Sequence, residues 1–361
     1  MIRTLTLEGY RGFEEYQLRK LRTVNLLVGP NNCGKTSVLE AVQLLVSSGD
    51  PSVLAESARR RWESHAGEVW RSGTRYPLHH QFHGHRLDPG VGLSVSSSEA
   101  FGRVRIQVVE GELGDSDDFI DVIRGTARPL ALLIRTGQDD EGTQFPLTED
   151  GSLNWSSPAM RLWPRGRPKS PPIRFVTADS LHVREMAHSW NWVIREGRES
   201  EVVEAMRILE KDLQSIHFLT SDTARGVVGL GRVLLGFQDG DPRIPIGSHG
   251  DGMRRLLLLS LSLLRVAEGF LLIDEIDTGL HWSVMEQMWN LVIEAAAKSS
   301  IQVFATTHSL DCILGLAELL KKRPDLADSV SVQKIERQLE HSVSFGATDI
   351  VTAADLSIEL R

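Results

Sequence analysis

The segment from Val24 to Val46 constrains the fold of this chain more than any other part of the sequence. Val24 to Val28 is a short, mostly apolar run, which is typical of a buried strand. From Ser37 to Val46, apolar residues recur at helical spacing. The connection between them, Gly29 to Thr36, has glycine at its first and sixth positions. A buried strand that leads through such a loop into a helix predicts an α/β fold with a mostly parallel sheet.

The loop itself carries a recognisable chemistry. Gly29-Pro30-Asn31-Asn32-Cys33-Gly34-Lys35-Thr36 fits the pattern G-x-x-x-x-G-K-[ST] at every fixed position. Glycines let backbone N–H groups wrap a polyphosphate, and the helix N-terminus that follows favours an anion. Lys35 would reach the β- and γ-phosphates, and the Thr36 hydroxyl would contact Mg²⁺. The alternative is a turn that matches by chance, but its place between strand and helix argues against this.

A second element lies at the end of another apolar run. Phe270 to Ile273 predicts a buried strand, and Asp274 and Glu275 follow it directly. Parallel strands present their carboxyl ends at one edge of the sheet, where the phosphate loop also belongs. Asp274 therefore suits a Mg²⁺ contact, and Glu275 suits positioning or deprotonating the attacking water. The alternative is a pair of solvated acids at a strand end.

Two further segments suggest contacts to an anion. His308 follows the apolar strand predicted for 301–307, where a neutral imidazole could contact the γ-phosphate; the alternative is a structural histidine. The small-residue loop 247–253 precedes a long apolar helix predicted for 252–267. Its alternative role is helix capping, with Asp251 or Ser248 as the N-cap. The two arginines that follow this loop would steady it or contact phosphate.

Together these four elements resemble the ABC-type ATPase heads shared by the SMC, RecF and OLD proteins, most of all the compact OLD-like AAA-family ATPases of bacteria. Gly29–Ser37 resembles Walker A, Leu271–Glu275 resembles Walker B, 276–281 resembles the D-loop, and 307–309 resembles the switch-histidine loop. The loop 247–253 resembles the signature loop but departs from its usual Leu-Ser-Gly-Gly-Gln. No convincing Q-loop glutamine is found, although 176–180 occupies its place.

The resemblance implies a P-loop NTPase fold with ATP and Mg²⁺ as cofactors. It includes an antiparallel β subdomain and an inserted α+β segment beside the parallel sheet. Catalytic roles fall to Glu275, His308 and Lys35, and metal contacts to Thr36 and Asp274. The Cys33 side chain receives no chemical role. The residues implied to contact nucleotide are Arg11, Gly29, Pro30, Asn31, Asn32, Cys33, Gly34, Lys35, Thr36, Ser37, Ser248, Gly250, Gly252 and Asp277.

The same resemblance implies a cycle in which ATP closes a homodimer and hydrolysis reopens it. OLD proteins carry a TOPRIM-type nuclease domain after the ATPase, and no glycine-flanked acidic cluster follows His308 here, so no nuclease activity is expected in this chain. The leading hypothesis is an ATPase that gates or drives a separate effector, such as a nuclease in an anti-phage defence pair. The alternatives are a RecF-like DNA-repair clamp and a slow ATPase scaffold that sequesters a partner.

The stretch 49–170 differs in character from its flanks. It is rich in Arg, His, Trp and Gly, with short strand-like runs, and indicates an insertion with a mostly antiparallel sheet. The predicted domains are therefore an ATPase head of 1–48 and 171–361, and the insertion 49–170. Helices are predicted for 53–61, 199–213 and 282–298, and strands for 173–177 and within 216–237.

Charge and composition narrow the possible partners. The net charge of −8 gives no global support for nucleic-acid binding. Basic, Trp-containing segments at 59–62 and 161–169 nevertheless keep local contact with nucleic acid open. The histidines between His79 and His85 lack companion ligands at metal-site spacing. With no long apolar span and only 2 cysteines, a cytoplasmic protein without a membrane contact is expected.

Overall fold

A computed structural model describes the chain except for residues 64–74, 99–100, 112–128, 138–140, 156, 158, 161–169, 178–182, 220–231 and 238–240. The chain forms two compact units. The first unit contains residues 1–20, 32–171 and 335–343, and the second contains 21–31, 172–334 and 344–361. Strands and helices are numbered along the chain.

The first unit is built on an antiparallel sheet. Its strands are β1 (Leu5–Tyr10), β2 (Phe13–Leu18), β4 (Gly92–Ser97), β5 (Arg103–Glu110), β6 (Leu130–Thr136) and β7 (Thr143–Pro146). They lie in the order β2-β1-β4-β5-β6-β7, with β1 paired to β4 from Leu5 opposite Ser97 to Glu8 opposite Ser94. The strands of the predicted insertion therefore extend a sheet that the N-terminal hairpin begins.

Two helices belong to the first unit, α1 (Lys35–Val46) and α2 (Pro51–Arg60). Helix α1 packs against β4 and β5, and its apolar side chains are buried there. It begins two residues before the predicted start, because Gly34 adopts a left-handed conformation (φ 107°) and forms the N-cap. Asp50 caps α2 by accepting a hydrogen bond from the Ser52 amide.

The second unit contains the predicted parallel sheet. Its strands are β3 (Val24–Val28), β8 (Ile173–Val176), β12 (Phe270–Ile273), β13 (Gln302–Thr306), β14 (Val330–Lys334) and β15 (Val343–Phe345). The order is β15-β14-β3-β13-β12-β8, and the four pairs from β14 to β8 are parallel. A smaller antiparallel sheet has the order β11 (Ile244–Pro245), β10 (Arg232–Gly236) and β9 (Ser215–Leu219).

The helices of the second unit enclose one continuous apolar core with the parallel sheet. They are α3 (Val183–Arg195), α4 (Glu199–Met206), α5 (Asp251–Arg265), α6 (Met285–Lys298), α7 (Leu310–Lys322) and α8 (Ala347–Asp355). Helix α5 contributes the most leucines, and its side chains from Arg255 to Leu264 are all buried. Such a helix suits a central position, since it is apolar on nearly every side.

The structure confirms the α/β class, the parallel sheet and the strands β3, β8, β12 and β13. The helix predicted for 199–213 is wrong in its extent, because α4 ends at Met206. Strand β2, helix α3 and strand β14 were not predicted. The helix predicted from Trp282 starts as a 3₁₀ turn before α6. The two units also divide the chain differently from the predicted domains, since residues 1–20 pair with the antiparallel strands.

Candidate functional site

Three neighbouring strands of the second unit end together at one edge of the parallel sheet. Leu27 of β3 lies opposite Thr306 of β13, and Ala305 of β13 lies opposite Ile273 of β12. The chain leaves β3 through 29–31, the first part of the phosphate loop. It leaves β12 through Asp274 and Glu275, and β13 through 307–308. The beginning of the loop and both strand-end acids therefore share this edge, as the sequence predicted.

Asp274 is half-buried and Glu275 is exposed. The Thr306 hydroxyl lies 2.6 Å from Asp274 Oδ1 and 2.8 Å from the Glu275 amide nitrogen. Glu275 has a left-handed backbone with φ 52°, which is unusual for a residue with a side chain. Its carboxylate accepts a hydrogen bond of 3.1 Å from Thr278. Non-glycine residues with such a backbone concentrate at functional sites.

Arg255 of α5 braces the backbone at this strand end. Its guanidinium is 2% exposed and donates to the carbonyl oxygens of Thr177, Asp274 and Glu275 at 2.6–2.9 Å. Burial lowers the pKa of Arg255, although the nearby carboxylates of the strand end and of Asp277 oppose this shift. The sequence predicted that an arginine after the small-residue loop would steady that loop. The structure instead places the Arg255 guanidinium against the backbone carbonyls next to the two acids.

The D-loop-like and signature-like segments meet within the second unit. Asp277 Oδ1 accepts a hydrogen bond of 2.6 Å from the Thr307 hydroxyl. Gly252, in the first turn of α5, lies so close to the D-loop-like segment that a Cβ at this position would be 2.7 Å from the carbonyl oxygen of Gly279. This close approach requires glycine. The packing places the start of α5 directly against the turn that follows Asp277.

The capping hypothesis for the signature-like loop is wrong in its residues. Gly250, with φ 82°, is the N-cap of α5, and Asp251 is the first helical residue. Asp251 pairs instead with Arg254 at 3.1 Å. Ser248 lies in a 3₁₀ turn and is exposed, as is Gly250. An exposed loop of small residues at a helix N-terminus remains suited to bind an anion.

His308 is exposed just beyond β13. Its backbone carbonyl accepts a hydrogen bond of 2.9 Å from Arg361. The next residue, Ser309, caps α7 by accepting from the Cys312 amide. The histidine therefore lies between a strand end and a capped helix start, at the same edge as Asp274.

The second half of the phosphate loop belongs to the first unit. Gly34 packs against the Phe13 ring, and a Cβ at this position would overlap it. Lys35 is 5% exposed, and its Nζ lies 3.8 Å from Cys33 Sγ. Thr36 is half-buried in the first turn of α1, which contains no acidic residue. A lysine at a helix N-terminus adds positive charge where the first backbone N–H groups of the helix already point outward, and this combination suits a polyphosphate.

Helix α1 also contributes to a charged cluster that was not predicted. Glu40 of α1 is buried and pairs with Arg11 at 2.9 Å and with Arg61 at 3.0 Å. Arg61 also donates to the Ser37 hydroxyl at 3.1 Å. Arg11 is 6% exposed, and a second acid, Glu63, contacts it at 2.8 Å. Burial opposes its charge, but these two carboxylates raise the pKa of Arg11.

This position defines what Arg11 contacts in the first unit: the side chains of Glu40, Glu63 and Ser57. A direct contact of Arg11 with nucleotide stays a prediction from the resemblance. The signal for the cluster was present in the sequence, since Glu40 interrupts the apolar face of α1 between Leu39 and Val42. A carboxylate on a buried helix face requires a partner.

The histidine-rich segment and the basic, Trp-containing segments are described only in part. In the part of the chain that the structure describes, no group of three or more His, Cys, Asp or Glu side chains could hold a metal ion. His80 Nδ1 lies 3.3 Å from His85 Nδ1 in a pair of 3₁₀ turns. In the basic segment 59–62, Arg61 joins the buried cluster and Trp62 is exposed. The basic segment 161–169 and most of the Q-loop position lie outside the described residues.

A cavity of about 1440 Å³ lies elsewhere in the second unit, among α3, α4, α6, α7 and β9. No predicted site residue lines it, and its charged rim is partly paired internally, for example Lys298 with Glu201 and Lys322 with Glu286. Both cysteines are buried and reduced. Among the helices that the structure describes, none is long and apolar enough to cross a membrane.

Two family models match separate stretches of the chain. Residues 1–65 match a family model described as "AAA ATPase domain". Residues 195–312 match a model described as "AAA domain, putative AbiEii toxin, Type IV TA system". The first match contains the phosphate loop, and the second contains the signature-like loop, the strand-end acids and His308. These two stretches of the chain thus resemble AAA-type ATPase domains in sequence.

Individual relatives are more distant. An "ATP/GTP phosphatase" of Helicobacter pylori is 24% identical over 128 residues, which are 35% of this chain and 32% of that protein. An uncharacterized protein of Methanocaldococcus jannaschii is 40% identical over 48 residues, 13% of this chain and 22% of that protein. The matches thus span a third or less of these relatives. An SMC head bound to the C-winged helix domain of ScpA has a TM-score of 0.49 at 13% identity, covering 96% of this chain and 98% of that one.

Proposed function

We propose that this chain binds and hydrolyses ATP with Mg²⁺, closes into a homodimer when ATP is bound, and thereby gates a separate effector protein. The observation that carries the catalytic part is the shared sheet edge of the second unit. There the first residues of the phosphate loop leave β3, and the acids Asp274 and Glu275 leave β12; these two parallel strands lie on either side of β13. Ligands of open α/β sheets bind outside the carboxyl ends of the strands.

The roles follow from the chemistry of each group. The loop amides and Lys35 bind the phosphates, and Glu275 orients or deprotonates the attacking water. His308 contacts the γ-phosphate. Thr36 and Asp274 would hold Mg²⁺, which supplies positive charge to the triphosphate. A hydroxyl and a carboxylate fit this ion, because Mg²⁺ prefers hard oxygen ligands and keeps several waters.

The dimer and the effector are the further part of the proposal. Ser248 and Gly250 are exposed at the start of α5, and Asp277 lies on the segment packed against that start. In ATPase heads of the kind this chain resembles, such a loop faces the phosphate loop of a second subunit. The toxin–antitoxin description of the family matched by 195–312 suits an ATPase that acts together with a second protein.

Two variants test the catalytic assignment. Lys35→Ala should weaken ATP binding at least about 100-fold, because the negatively charged phosphates lose the positive charge of the lysine. Glu275→Gln should bind ATP normally but hydrolyse it about 100- to 1000-fold more slowly. Lys298→Ala and Glu294→Gln, exposed positions of the second unit, are the matched controls. Wild-type hydrolysis by Glu275→Gln would remove this residue from its role, and normal affinity of Lys35→Ala would refute the phosphate loop.

The dimer has its own experiment. Slow hydrolysis should trap the closed state, so Glu275→Gln with ATP and Mg²⁺ should double in mass by light scattering, whereas the ADP form should stay a monomer. Ser248→Arg, which places a long cation on the exposed loop, should abolish the doubling. A monomeric Glu275→Gln protein at saturating ATP contradicts the sandwich dimer but leaves the ATPase assignment intact.

A further inference from the structure

Thr306 is the last residue of β13 and is 1% exposed. Its hydroxyl makes two hydrogen bonds, and their directions are fixed. The Glu275 amide can only donate, so the hydroxyl oxygen accepts that bond at 2.8 Å. Its single hydrogen is then left for Asp274 Oδ1 at 2.6 Å, which an ionised carboxylate accepts. One side chain thus contacts the backbone of the predicted base and the carboxylate of the predicted metal ligand.

The backbone of Thr306 adds a third contact. Its carbonyl accepts a hydrogen bond of 3.0 Å from the Ile276 amide. Arg255 of α5 donates to the carbonyls of Asp274 and Glu275. These contacts involve only backbone atoms of the turn and the Oδ1 atom of Asp274. None of them engages the Glu275 carboxylate, and Glu275 is exposed. The left-handed Glu275 is therefore fixed from two elements, β13 and α5.

We infer that Thr306 is a positioning residue of the site: its hydroxyl orients the Asp274 carboxylate toward the metal and fixes the Glu275 backbone for water activation. This inference rests on the proposed ATPase function. Because a short, charge-assisted hydrogen bond occupies Oδ1, rotation of the carboxylate is restricted and Oδ2 presents a defined direction. Preorganised supporting groups of this kind govern how well a first ligand performs.

The contacts separate this role from packing. Valine has the same shape as threonine and would fill the same buried space, but it would remove both hydroxyl bonds. Serine would keep both bonds and lose only a methyl group. Thr306→Val therefore keeps the packing and removes the hydrogen bonds, whereas Thr306→Ser keeps the hydrogen bonds and removes part of the packing. Val303 is fully buried in the same strand and lies opposite Leu271 rather than either acid. Val303→Ala is therefore the control for a loss of stability without a change at the acids.

The first measurement is metal-dependent binding of a fluorescent ATP analogue to the full chain. In wild type, Mg²⁺ should strengthen binding relative to EDTA. In Thr306→Val this strengthening should fall about tenfold, with the affinity in EDTA unchanged. Thr306→Ser should stay within about threefold of wild type, and Val303→Ala should keep the wild-type ratio. A wild-type ratio in Thr306→Val, or an equal loss in Thr306→Ser, overturns the inference.

The second measurement is hydrolysis as a function of Mg²⁺ concentration. Thr306→Val should need about tenfold more Mg²⁺ for half-maximal rate and should show kcat lowered about 10- to 100-fold, with Thr306→Ser near wild type. If Thr306→Val does not fold, Thr306→Ala takes its place in both measurements. If wild type neither binds nor hydrolyses ATP, the proposed function fails and this inference with it. If wild type hydrolyses, Glu275→Gln is slow and Thr306→Val is normal, only this inference fails.

Discussion

The two compact units hold their acidic side chains by different means. In the first unit, the buried Glu40 carboxylate lies between the guanidinium groups of Arg11 and Arg61. In the second unit, the carboxylates of Asp274 and Asp277 each accept a 2.6 Å hydrogen bond from a threonine hydroxyl. A guanidinium cancels the charge that it contacts, whereas a hydroxyl fixes the carboxylate and leaves its charge in place.

The second unit also contains a buried guanidinium, but it is used differently. Arg255 contacts three backbone carbonyls around the acids at 2.6–2.9 Å. Its contacts therefore set the shape of the turn while the carboxylates remain oriented by hydroxyls. In the first unit the charge of the buried acid is neutralised, whereas in the second unit the acids keep the charge that the proposed Mg²⁺ site requires.

The largest effect is expected where charge is paired. Glu40→Gln leaves Arg11 and Arg61 without their shared buried carboxylate, and should lower the free energy of unfolding by about 3–5 kcal/mol. Urea unfolding followed by tryptophan fluorescence measures it. Glu56→Gln, a half-exposed acid that faces Arg60 on α2, is the control and should change stability by less than about 1 kcal/mol. Equal losses in the two variants would contradict the buried cluster.

The next effect concerns the arginine that contacts carbonyls. Arg255→Met should cost about 2–4 kcal/mol, since the carbonyls of Thr177, Asp274 and Glu275 lose their donor. Arg254→Met, one residue away and partly exposed, should cost less than about 1 kcal/mol. Arg255→Lys keeps the charge without the planar fork and should recover only part of the loss. Similar stability of the two methionine variants would remove Arg255 from its bracing role.

A pH effect should distinguish the first unit, which contains every tyrosine of the chain. Burial, and for Tyr10 the nearby Glu40, raises the pKa of Tyr10 and of Tyr16 to about 12. Below pH 10 the tyrosine hydroxyls are protonated in both the folded and the unfolded state, so they do not make the free energy of unfolding depend on pH. Between about pH 10 and 12 only the unfolded state ionises, and stability should fall by about 1.4 kcal/mol per pH unit for each tyrosine.

Urea midpoints measured from pH 9 to 11.5 test this expectation. Tyr10→Phe and Tyr16→Phe should each flatten the alkaline decline, because phenylalanine has no proton to lose. A decline that is as steep in both variants as in the wild-type protein would show that neither tyrosine is protected by burial.

The smallest effect is expected where charge is retained. Asp277→Asn makes the same chemical change as Glu40→Gln, but the Thr307 hydroxyl can still donate to the amide oxygen. The free energy of unfolding should therefore change by less than about 1 kcal/mol. Unfolding curves of the two variants, recorded side by side, give the comparison directly. A loss as large as that of Glu40→Gln would mean that the second unit depends on its acids for folding.

Local patterns determined the parts of the site that lie on single segments. The loop from Gly29 to Thr36 and the acids after β12 were predicted because a strand, a loop and a helix follow each other within a few residues. Parallel strands with helices between them also fix which strand ends share an edge. The sheet edge of β3, β13 and β12 was therefore predictable, and the structure confirms it.

Pairing between distant segments was decided only by the tertiary structure. The N-terminal strand β1 pairs with β4, and β14 joins β3 at the opposite side from β13; neither pairing leaves a trace in local periodicity. The same holds for the side chains that support the site. In the sequence Thr306 looks like one more strand residue, and Arg255 was expected to steady the small-residue loop or to contact phosphate, because burial and hydrogen-bond partners depend on which elements pack together. Sequence thus specified the reactive groups, and the packing of α5 and β13 around the strand end decided how they are held.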